Sequence, residues 1–308
     1  MLNLNKLEIF AAVVRTGSFS AAAQQLLLTQ PGVSQHMQEL EAGLGTRLFV
    51  RGRRGVTLTP AGERLADYTR AILRMVAEAE NAVADIEHLA TGQMLIGATP
   101  GVSVYLLPEP IQEFHNRYPH LHVAVQTGIT PQILEDLRLG TLDLGLIEGE
   151  LNLPLHPTLG VQELQIVEQW VAVGPKHPWW GRATVEIGEL GGQSLILRQR
   201  NSQTRIWLDG VLAQHSLHPR IGAEFDHVES IKRAVMQGTS ITILPAYTTH
   251  QEVESGRLWL LHVAGEPLQR TLKLVWNREI AFSPVVRAFL NCLRHHLPEL
   301  DATLALNP

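Results

Sequence analysis

Short, neutral polar side chains fill one face of the segment QPGVSQHMQELE, residues 30–41. Val33, Met37 and Leu40 recur at helical spacing, so the amides and hydroxyls share the opposite face. A solvent-facing helix surface usually carries charged residues instead. Amides can pair bidentately with adenine, and hydroxyls can hydrogen-bond to either base type, so this face could bind base edges in a major groove. In an isolated helix, an ordinary polar surface would be the simpler explanation.

The flanking residues predict a helix-turn-helix. Leu7, Phe10 and Val14 indicate an amphipathic first helix. Ser18 or Ser20 can cap a second, alanine-rich helix, and a proline at the start of the third loses no hydrogen bond there. The second helix of such a pair enters the major groove. The predicted DNA contacts in this region are Ser20, Thr29, Gln30, Pro31, Ser34, Gln35 and Gln38.

A basic hairpin is predicted next, in GTRLFVRGRRGVTLTP, residues 45–60. Leu48 and Val50 alternate before a glycine-bounded turn, and Val56 and Leu58 alternate after it, as in two short strands. Arginines at the tip could neutralise DNA phosphates, whereas the same cluster on an isolated turn could be plain solvated surface. The predicted wing contacts are Arg51, Arg53 and Arg54.

Charge distribution separates this N-terminal region from the rest of the chain. Residues 1–60 carry +3, and the remainder therefore carries −8, since all 308 residues together carry −5. A basic head on an acidic body is typical of a nucleic-acid-binding module joined to an unrelated one. The single cysteine, the absence of a signal-peptide pattern and the absence of a long uncharged apolar run predict a cytoplasmic protein.

A long helix should connect the two modules, because neither proline nor glycine interrupts residues 63–91. Apolar residues recur there every seven positions in two series offset by three, which is typical of a helix that pairs with a second copy. A helix packing on its own domain is the alternative. Dimerisation would make the DNA site dyad-symmetric. The two series are Leu65, Ile72, Ala79, Ile86 and Tyr68, Met75, Ala82, Leu89.

From residue 92 onward, strand and helix patterns alternate, which predicts two α/β lobes with largely parallel sheets and a cleft between them. We expect strands at 93–98, 121–126, 142–148, 163–173, 194–198, 221–226, 240–244 and 271–277. Helices are expected at 103–117, 131–139, 203–215, 228–237 and 283–297.

Strand ends and helix starts should line this cleft, where free N–H groups favour anions. Arginines at 198, 200 and 205 would add charged donors. Helix capping alone would account for Thr130, and the other hydroxyls could also be simple caps. A cleft-facing Glu148 would admit a zwitterion or an arginine-paired carboxylate. The predicted ligand contacts are Thr99, Pro100, Gly101, Ser103, Ile129, Thr130, Glu148, Arg198, Arg200, Asn201, Ser202 and His227.

Enzyme and metal signatures are missing from the sequence, which has no P-loop, G-x-S-x-G or H-E-x-x-H motif. His295 and His296 are adjacent and should point in different directions rather than pair on one ligand. We therefore predict no catalytic residues, no metal site and no cofactor. The expected ligand is a small effector with carboxylate, phosphate or amino-acid character.

The segment LEIFAAVVRTGSFSAAAQQLLLTQPGVSQHMQELEAGLGTRLFVRGRRGVTLTPAGE resembles the winged helix-turn-helix of LysR-type transcriptional regulators. One departure is Gln35, since many members have an arginine there. The segments GLIEGE and RQRNSQTR resemble the branch that includes carbon-fixation and sulfur-assimilation regulators. The resemblance implies an α/β fold with a winged helical head, a dimerising linker helix and a two-lobed domain like type 2 periplasmic binding proteins.

The resemblance sets the predicted boundaries. The winged head spans 1–59, the linker helix 60–91 and the effector domain 92–308. Lobe 1 covers about 92–161 plus 268–308, and lobe 2 about 162–267. The implied function is sequence-specific, ligand-responsive DNA binding by a homodimer or homotetramer that also contacts RNA polymerase. The alternative is a cytoplasmic small-molecule-binding protein with a non-specific DNA-binding head.

Substitutions at Gln35 and Arg53 should separate base recognition from phosphate binding. We expect Gln35→Ala to relax base preference at one operator position, because an amide that pairs with a base edge is lost. Arg53→Ala should weaken binding to all sequences alike and lower the salt dependence. Fluorescence anisotropy on an operator-variant panel at several salt concentrations measures both. Uniform loss for both variants would contradict the assigned roles.

Overall fold

The computed structural model describes residues 2–52, 55–84, 92–151, 155–265 and 267–300. Within helices and strands, the side chains of 51, 52, 55, 74, 77, 78 and 80–84 lie outside this description. The chain forms two compact units, 1–92 with 139–141, and 93–138 with 142–308. No helix in the described ranges is long and apolar enough to cross a membrane. The predicted boundaries within and between the modules are finer than this division and stay predictions.

Helices and one hairpin build the N-terminal unit. Ser18, rather than Ser20, caps the second helix by accepting a hydrogen bond from the Ala21 N–H at 3.4 Å. Thr29 caps the third helix by accepting from the Gly32 N–H at 3.2 Å. The elements are α1 (Leu4–Thr16), α2 (Phe19–Gln25), α3 (Gln30–Leu44), β1 (Phe49–Gly52), β2 (Gly55–Leu58) and α4 (Pro60–Ala84).

The residues before the hairpin turn do not share one face of a strand, as the predicted alternation required. Leu48 and Val50 were expected on one face, but Leu48 is 1% exposed and Val50 is 53% exposed. The Glu41 carboxylate accepts from the N–H groups of both Leu48 (2.7 Å) and Phe49 (3.2 Å). Glu41 thereby fixes the chain before β1 so that Phe49 packs at 5.3 Å from the ring of Phe10.

Helix α4 contains most of the predicted seven-residue repeat. Tyr68, Ile72 and Met75 are 47%, 39% and 56% exposed, so they form an apolar stripe that the single chain leaves open to solvent. Such a stripe is what a helix-pairing seam requires. The last repeat, Ile86 and Leu89, lies outside the described residues. Pairing through this helix therefore stays a prediction.

Alternating strands and helices build the C-terminal unit, with two additional 3₁₀ turns at Ile187–Gly192 and Ala246–Thr248. The strands are β3 (Gly92–Ala98), β4 (Leu121–Thr127), β5 (Leu144–Glu148), β6 (Leu159–Val173), β7 (Thr184–Val185), β8 (Ser194–Arg198), β9 (Arg220–Phe225), β10 (Ile241–Pro245), β11 (Trp259–Val263) and β12 (Gln269–Asn277). The helices are α5 (Pro100–Tyr105), α6 (Pro108–Arg117), α7 (Thr130–Arg138), α8 (Gln203–Gln214), α9 (Val228–Gln237), α10 (His250–Glu254) and α11 (Pro284–His296).

Strand β6 belongs to both lobes. Residues 159–168 of β6 pair with β12, in the order β4-β3-β5-β12-β6, and this half of the sheet defines the first lobe. Residues 169–173 pair with β10, in the order β6-β10-β8-β9 with β11 alongside, and this half defines the second lobe. Strand β3 pairs with β5 in parallel, and β8 pairs with β9 in parallel. Strands β6 and β12 run antiparallel to their neighbours. The sheet is mixed rather than largely parallel.

Two predicted elements differ in extent. The single helix expected at 103–117 is two helices, because the prolines at 100 and 108 each occupy the first turn of a new helix, where a missing N–H is tolerated. Strand β6 begins at Leu159, four residues before its predicted start. The short elements β7, β11 and α10 were not predicted, because they are too brief to show a periodic pattern.

A strained residue lies in the turn between α2 and α3. Leu27 has φ +55° and is 93% exposed. The left-handed region costs a residue with a Cβ about 1–2 kcal/mol, and asparagine tolerates it better. We expect Leu27→Asn to raise the free energy of unfolding of the N-terminal unit by about 1 kcal/mol.

Urea denaturation of the full chain can isolate this effect. All six tryptophans lie between 170 and 276, so a transition seen by circular dichroism but not by tryptophan fluorescence belongs to the N-terminal unit. Leu28→Asn is the matched control, since Leu28 is 43% exposed and does not have a positive φ. An equal gain in both variants would show that surface polarity, not backbone strain, is responsible.

Candidate ligand cleft and candidate nucleic-acid interface

The polar face of α3 is open to solvent, as a DNA-contacting face must be. Ser34 is partly buried, and the other predicted contacts on and before this helix are exposed. Ser20 is exposed within α2. The exposed residues are Thr29, Gln30, Pro31, Gln35 and Gln38.

Glu39, the acidic residue on this face, is bound by Lys6 and Gln35. Glu39 forms an ion pair with Lys6 at 2.9 Å and accepts a hydrogen bond from the Gln35 amide at 3.2 Å. The hydrogen bonds from Lys6 and then Gln35 lower the pKa of Glu39. Glu39 therefore stays ionised, and its charge is balanced by Lys6 rather than left to repel phosphates. The Gln35 amide is oriented by Glu39, which leaves its oxygen available as an acceptor.

The tip of the wing lies outside the described residues. Arg51 lies in β1, but its side chain is outside the described residues, as are Arg53 and Arg54 entirely. Their phosphate-binding role stays a prediction.

A cleft lies within the C-terminal unit, where loops and helix starts of both lobes meet β6 and β12. It has a volume of about 60 Å³. Helices α7, α8 and α9 begin beside it, and the carboxyl ends of β5, β8 and β10 reach it. Eight of the predicted ligand contacts line it, namely Thr99, Pro100, Gly101, Ile129, Thr130, Glu148, Arg198 and Ser202.

Four predicted ligand contacts are not among the lining residues. Ser103 donates to the Pro100 carbonyl at 3.2 Å and accepts from Thr127 at 2.9 Å. Its hydroxyl is therefore already hydrogen-bonded to residues of α5 and β4. The Arg200 side chain is 84% exposed, 3.6 Å from Glu224. Asn201 is also exposed, because both residues lie in the turn after β8.

His227 is the fourth of these residues. Its imidazole caps α9 by accepting from the Glu229 N–H at 3.3 Å, and the side chain is exposed. The next residue, Val228, lines the cleft instead. The histidine ring is engaged in capping, and its role as a ligand contact stays a prediction.

Sequence reasoning missed nine lining residues. Most come from β10, the turn after it and β12, where apolar strand patterns concealed the few polar positions. No local signal singled out Arg270, because its strand β12 also carries Gln269, Thr271 and Lys273. The missed residues are Gly128, Gln203, Thr204, Val228, Leu244, Pro245, Tyr247, Thr248 and Arg270.

Glu148 and Arg270 form a buried ion pair in the cleft wall. The Arg270 NH1 lies 2.8 Å from Glu148 Oε1, and the side chains are 2% and 5% exposed. Arg270 also donates to the Glu148 carbonyl at 2.9 Å and to Thr204 Oγ1 at 3.0 Å. The Gln169 amide donates to Glu148 at 3.1 Å, and the Tyr247 hydroxyl donates to its second oxygen. Glu148 is thus an arginine-paired carboxylate with both oxygens engaged.

Two glycines make room for this network. A Cβ on Gly149 would lie 1.9 Å from the Arg270 guanidinium, and φ of +118° also favours glycine there. A Cβ on Gly101 would lie 2.8 Å from the Tyr247 hydroxyl. Burial, followed by the Glu148 charge, raises the pKa of Tyr247 well above its usual value. Tyr247 therefore remains a hydrogen-bond donor at neutral pH.

Arg198 is the cleft's other cation, and it is not paired in the same way. No ion pair involves its side chain, and its Nε has no hydrogen-bond partner within the described part of the chain. Burial lowers the pKa of Arg198, while the Asp226 charge acts in the opposite direction. Arg205 holds the strand end in place by donating to the Arg198 carbonyl at 3.0 Å and to Glu224 at 2.6 Å.

The three hydroxyls expected at helix starts have different roles. Ser202 caps α8 by accepting from the Arg205 N–H at 3.1 Å, as the capping alternative predicts. Thr99 instead accepts from the Glu148 N–H at 3.2 Å. Thr130 is 4% exposed, and its hydroxyl has no partner within the described residues. Capping does not account for Thr130, contrary to the sequence-based interpretation.

The histidine pair at the end of α11 differs from its prediction. His295 Nδ1 and His296 Nε2 lie 3.1 Å and 2.7 Å from the two oxygens of Glu113 on α6, so both rings reach one carboxylate. Helix α11 ends at His296, and both rings can turn toward the neighbouring helix there. No group of three His, Cys, Asp or Glu residues in the described ranges is arranged to hold a metal ion.

Two protein-family models match the chain, one on each unit. Bacterial regulatory helix-turn-helix protein, lysR family, matches residues 4–63. LysR substrate binding domain matches residues 87–298.

Curated relatives are similar over nearly the whole chain. The HTH-type transcriptional activator CmpR of Synechocystis sp. is 31% identical over 293 residues, 95% of each chain. A probable RuBisCO transcriptional regulator of Cyanidioschyzon merolae is 31% identical over 277 residues, 89% of this chain and 91% of the relative. The crystal structure of full-length CbnR complexed with its target DNA is 21% identical and covers 96% of this chain and 100% of that one, with a TM-score of 0.70, and shows the same fold.

Removing the charge of Glu148 should destabilise the C-terminal unit strongly. Glu148→Gln leaves the Arg270 charge buried without its counter-ion, and we expect a loss of about 3–5 kcal/mol in the free energy of unfolding. Glu150→Gln is the control, because that side chain is 52% exposed and 4.0 Å from Lys273, and an exposed pair contributes about 0–1 kcal/mol. Urea denaturation followed by tryptophan fluorescence measures both. Similar losses would refute the importance of the buried pair.

Proposed function

We propose that this chain, which belongs to the LysR family of bacterial transcriptional regulators, senses a small anionic metabolite in the cleft of its C-terminal unit. The chain is a ligand-responsive, sequence-specific DNA-binding regulator and not an enzyme. The alternative of a small-molecule-binding protein with a non-specific DNA-binding head is not favoured. The similarity to a RuBisCO regulator agrees with the predicted branch of the family.

One observation carries the proposal about the ligand. Arg198 and Thr130 both line the cleft, and the Arg198 Nε and the Thr130 hydroxyl are buried donors without a partner in the described residues. A buried donor left unsatisfied costs about 1–3 kcal/mol, more when it is charged. A negatively charged ligand in the cleft would supply a counter-ion for the Arg198 guanidinium, which has no ion pair within the described residues. The positive ends of α7, α8 and α9 favour the same charge.

DNA binding is assigned to the N-terminal unit. The exposed amides and hydroxyls of α3 would contact base edges, while the wing arginines would contact phosphates. The open apolar stripe of α4 supports pairing of two chains, and a dimer would bind a dyad-symmetric site. Assembly into a tetramer and contact with RNA polymerase extend the same proposal, and they rest on the family resemblance alone.

A thermal-shift screen of the full-length protein tests the ligand proposal. The panel contains carboxylic acids, phosphates, amino acids and nucleotides of central metabolism. A ligand at about 100 times its dissociation constant should stabilise the protein by about 2.7 kcal/mol. The shift should disappear in Arg198→Gln and persist in Arg200→Gln, because Arg200 is exposed and does not line the cleft.

A shift produced only by cationic or uncharged compounds would contradict anion sensing. A shift that survives in Arg198→Gln would place the ligand somewhere other than the cleft. In either case DNA binding could be intact, so anisotropy on operator DNA is measured with the same samples.

A further inference from the structure

We propose that the cleft selects a small monoanion, namely a compact monocarboxylate that carries no ammonium group. This inference rests on the proposed function, because it assumes that the cleft is the sensing site. It is narrower, since it excludes phosphate dianions, dicarboxylates, amino acids and nucleotides as preferred ligands.

The charge of the lining residues sets the charge of the ligand. The charged side chains that line the cleft are Glu148, Arg198 and Arg270, which together carry +1. Arg270 is neutralised by its ion pair with Glu148, which leaves Arg198 as the cation available to a ligand. A second negative charge on the ligand would have no counter-ion in a poorly solvated site, where uncompensated charge is costly.

The adjoining wall contributes no additional positive charge. Lys232 is 2% exposed, and its ammonium binds Glu229 at 2.6 Å, Glu252 at 3.0 Å and the Thr248 carbonyl at 2.8 Å. Two carboxylates therefore surround one ammonium. This cluster disfavours a ligand dianion rather than attracting one.

A ligand ammonium group would also lack a partner. Glu148 is the acidic residue that lines the cleft, and its oxygens already accept from Arg270, Gln169 and Tyr247. An amino acid could bind only by breaking the buried pair with Arg270. A hydroxyl or keto oxygen in place of the amine avoids that loss, because it carries no positive charge that needs an acidic partner.

The size of the cleft limits the ligand. The cleft volume of about 60 Å³ is small, so it suits a compact acid rather than a nucleotide. Part of the lining is apolar, from Ile129, Val228 and Leu244, which suits a short carbon skeleton next to the carboxylate.

Three nearly isosteric acids separate the charge types. Isothermal titration of the full-length protein at pH 7.5 uses glycolate as the monoanion, glycine as the zwitterion and oxalate as the dianion. We expect glycolate to bind at least tenfold more tightly than the other two. Arg198→Gln should weaken glycolate binding at least tenfold, whereas Ser103→Ala, outside the cleft, should leave it unchanged.

Adding a positive charge to the cleft wall should reduce the preference for glycolate over oxalate. Ile129 lines the cleft and is 41% exposed, so Ile129→Lys can fold normally while raising the local charge. We expect the affinity of oxalate relative to glycolate to rise at least tenfold in this variant. A merely destabilised protein would lose affinity for both acids instead.

Other outcomes overturn the inference in distinguishable ways. If oxalate or glycine binds as tightly as glycolate, and Arg198→Gln abolishes binding, the cleft is an anion sensor without monoanion selectivity. If none of the three binds but a larger anion in the thermal-shift screen does, the inferred small size of the ligand is wrong, and the proposed function stands. If no anion binds in either experiment, both the monoanion inference and the proposal of anion sensing are wrong.

Discussion

The ion pair between Glu148 and Arg270 is the interaction on which the C-terminal unit depends. Moving two charges out of water costs several kcal/mol per ion, and the pair is tolerated only when its remaining hydrogen bonds are satisfied. Gln169, Tyr247 and Thr204 meet most of that requirement from three other segments of the chain, while the Arg270 Nε has no partner in the described residues. The pair therefore fixes the ends of β5 and β12 against the start of α8 and the turn after β10, all of which contribute to the cleft wall.

The same pair determines what the cleft can attract. Because Glu148 is fully occupied, it neutralises Arg270 without offering an acceptor to a ligand, and Arg198 is left as the available cation. Thr130 adds a buried donor. Glu39 in the N-terminal unit shows a related arrangement, since Lys6 balances a carboxylate that would otherwise repel DNA. In both units, a compensated acidic residue leaves selected neighbouring polar groups available to bind.

Sequence patterns predicted most of the architecture because its elements are long and periodic. The helix-turn-helix, the linker helix and the two-lobed α/β fold are each carried by runs of apolar residues at fixed spacing. The cleft was predicted only in part. Thr99, Thr130, Glu148 and Arg198 were predicted because they lie at strand ends or helix starts, where a ligand site is expected. Arg270 and Tyr247 were missed because tertiary packing, not local sequence, brings β12 and the turn after β10 to Glu148. His227 was also predicted there, but its ring caps α9 and it is not among the residues that line the cleft.

In a ligand-responsive regulator, ligand occupancy of the cleft and DNA binding are coupled, and this coupling must be reciprocal. The most direct test is isothermal titration of the effector into full-length protein with and without saturating operator DNA. We predict that operator DNA changes the effector dissociation constant about 5-fold or more, and that the effector changes the DNA dissociation constant by the same factor. An effector dissociation constant that is identical with and without DNA would contradict the claim that this chain is a ligand-responsive regulator.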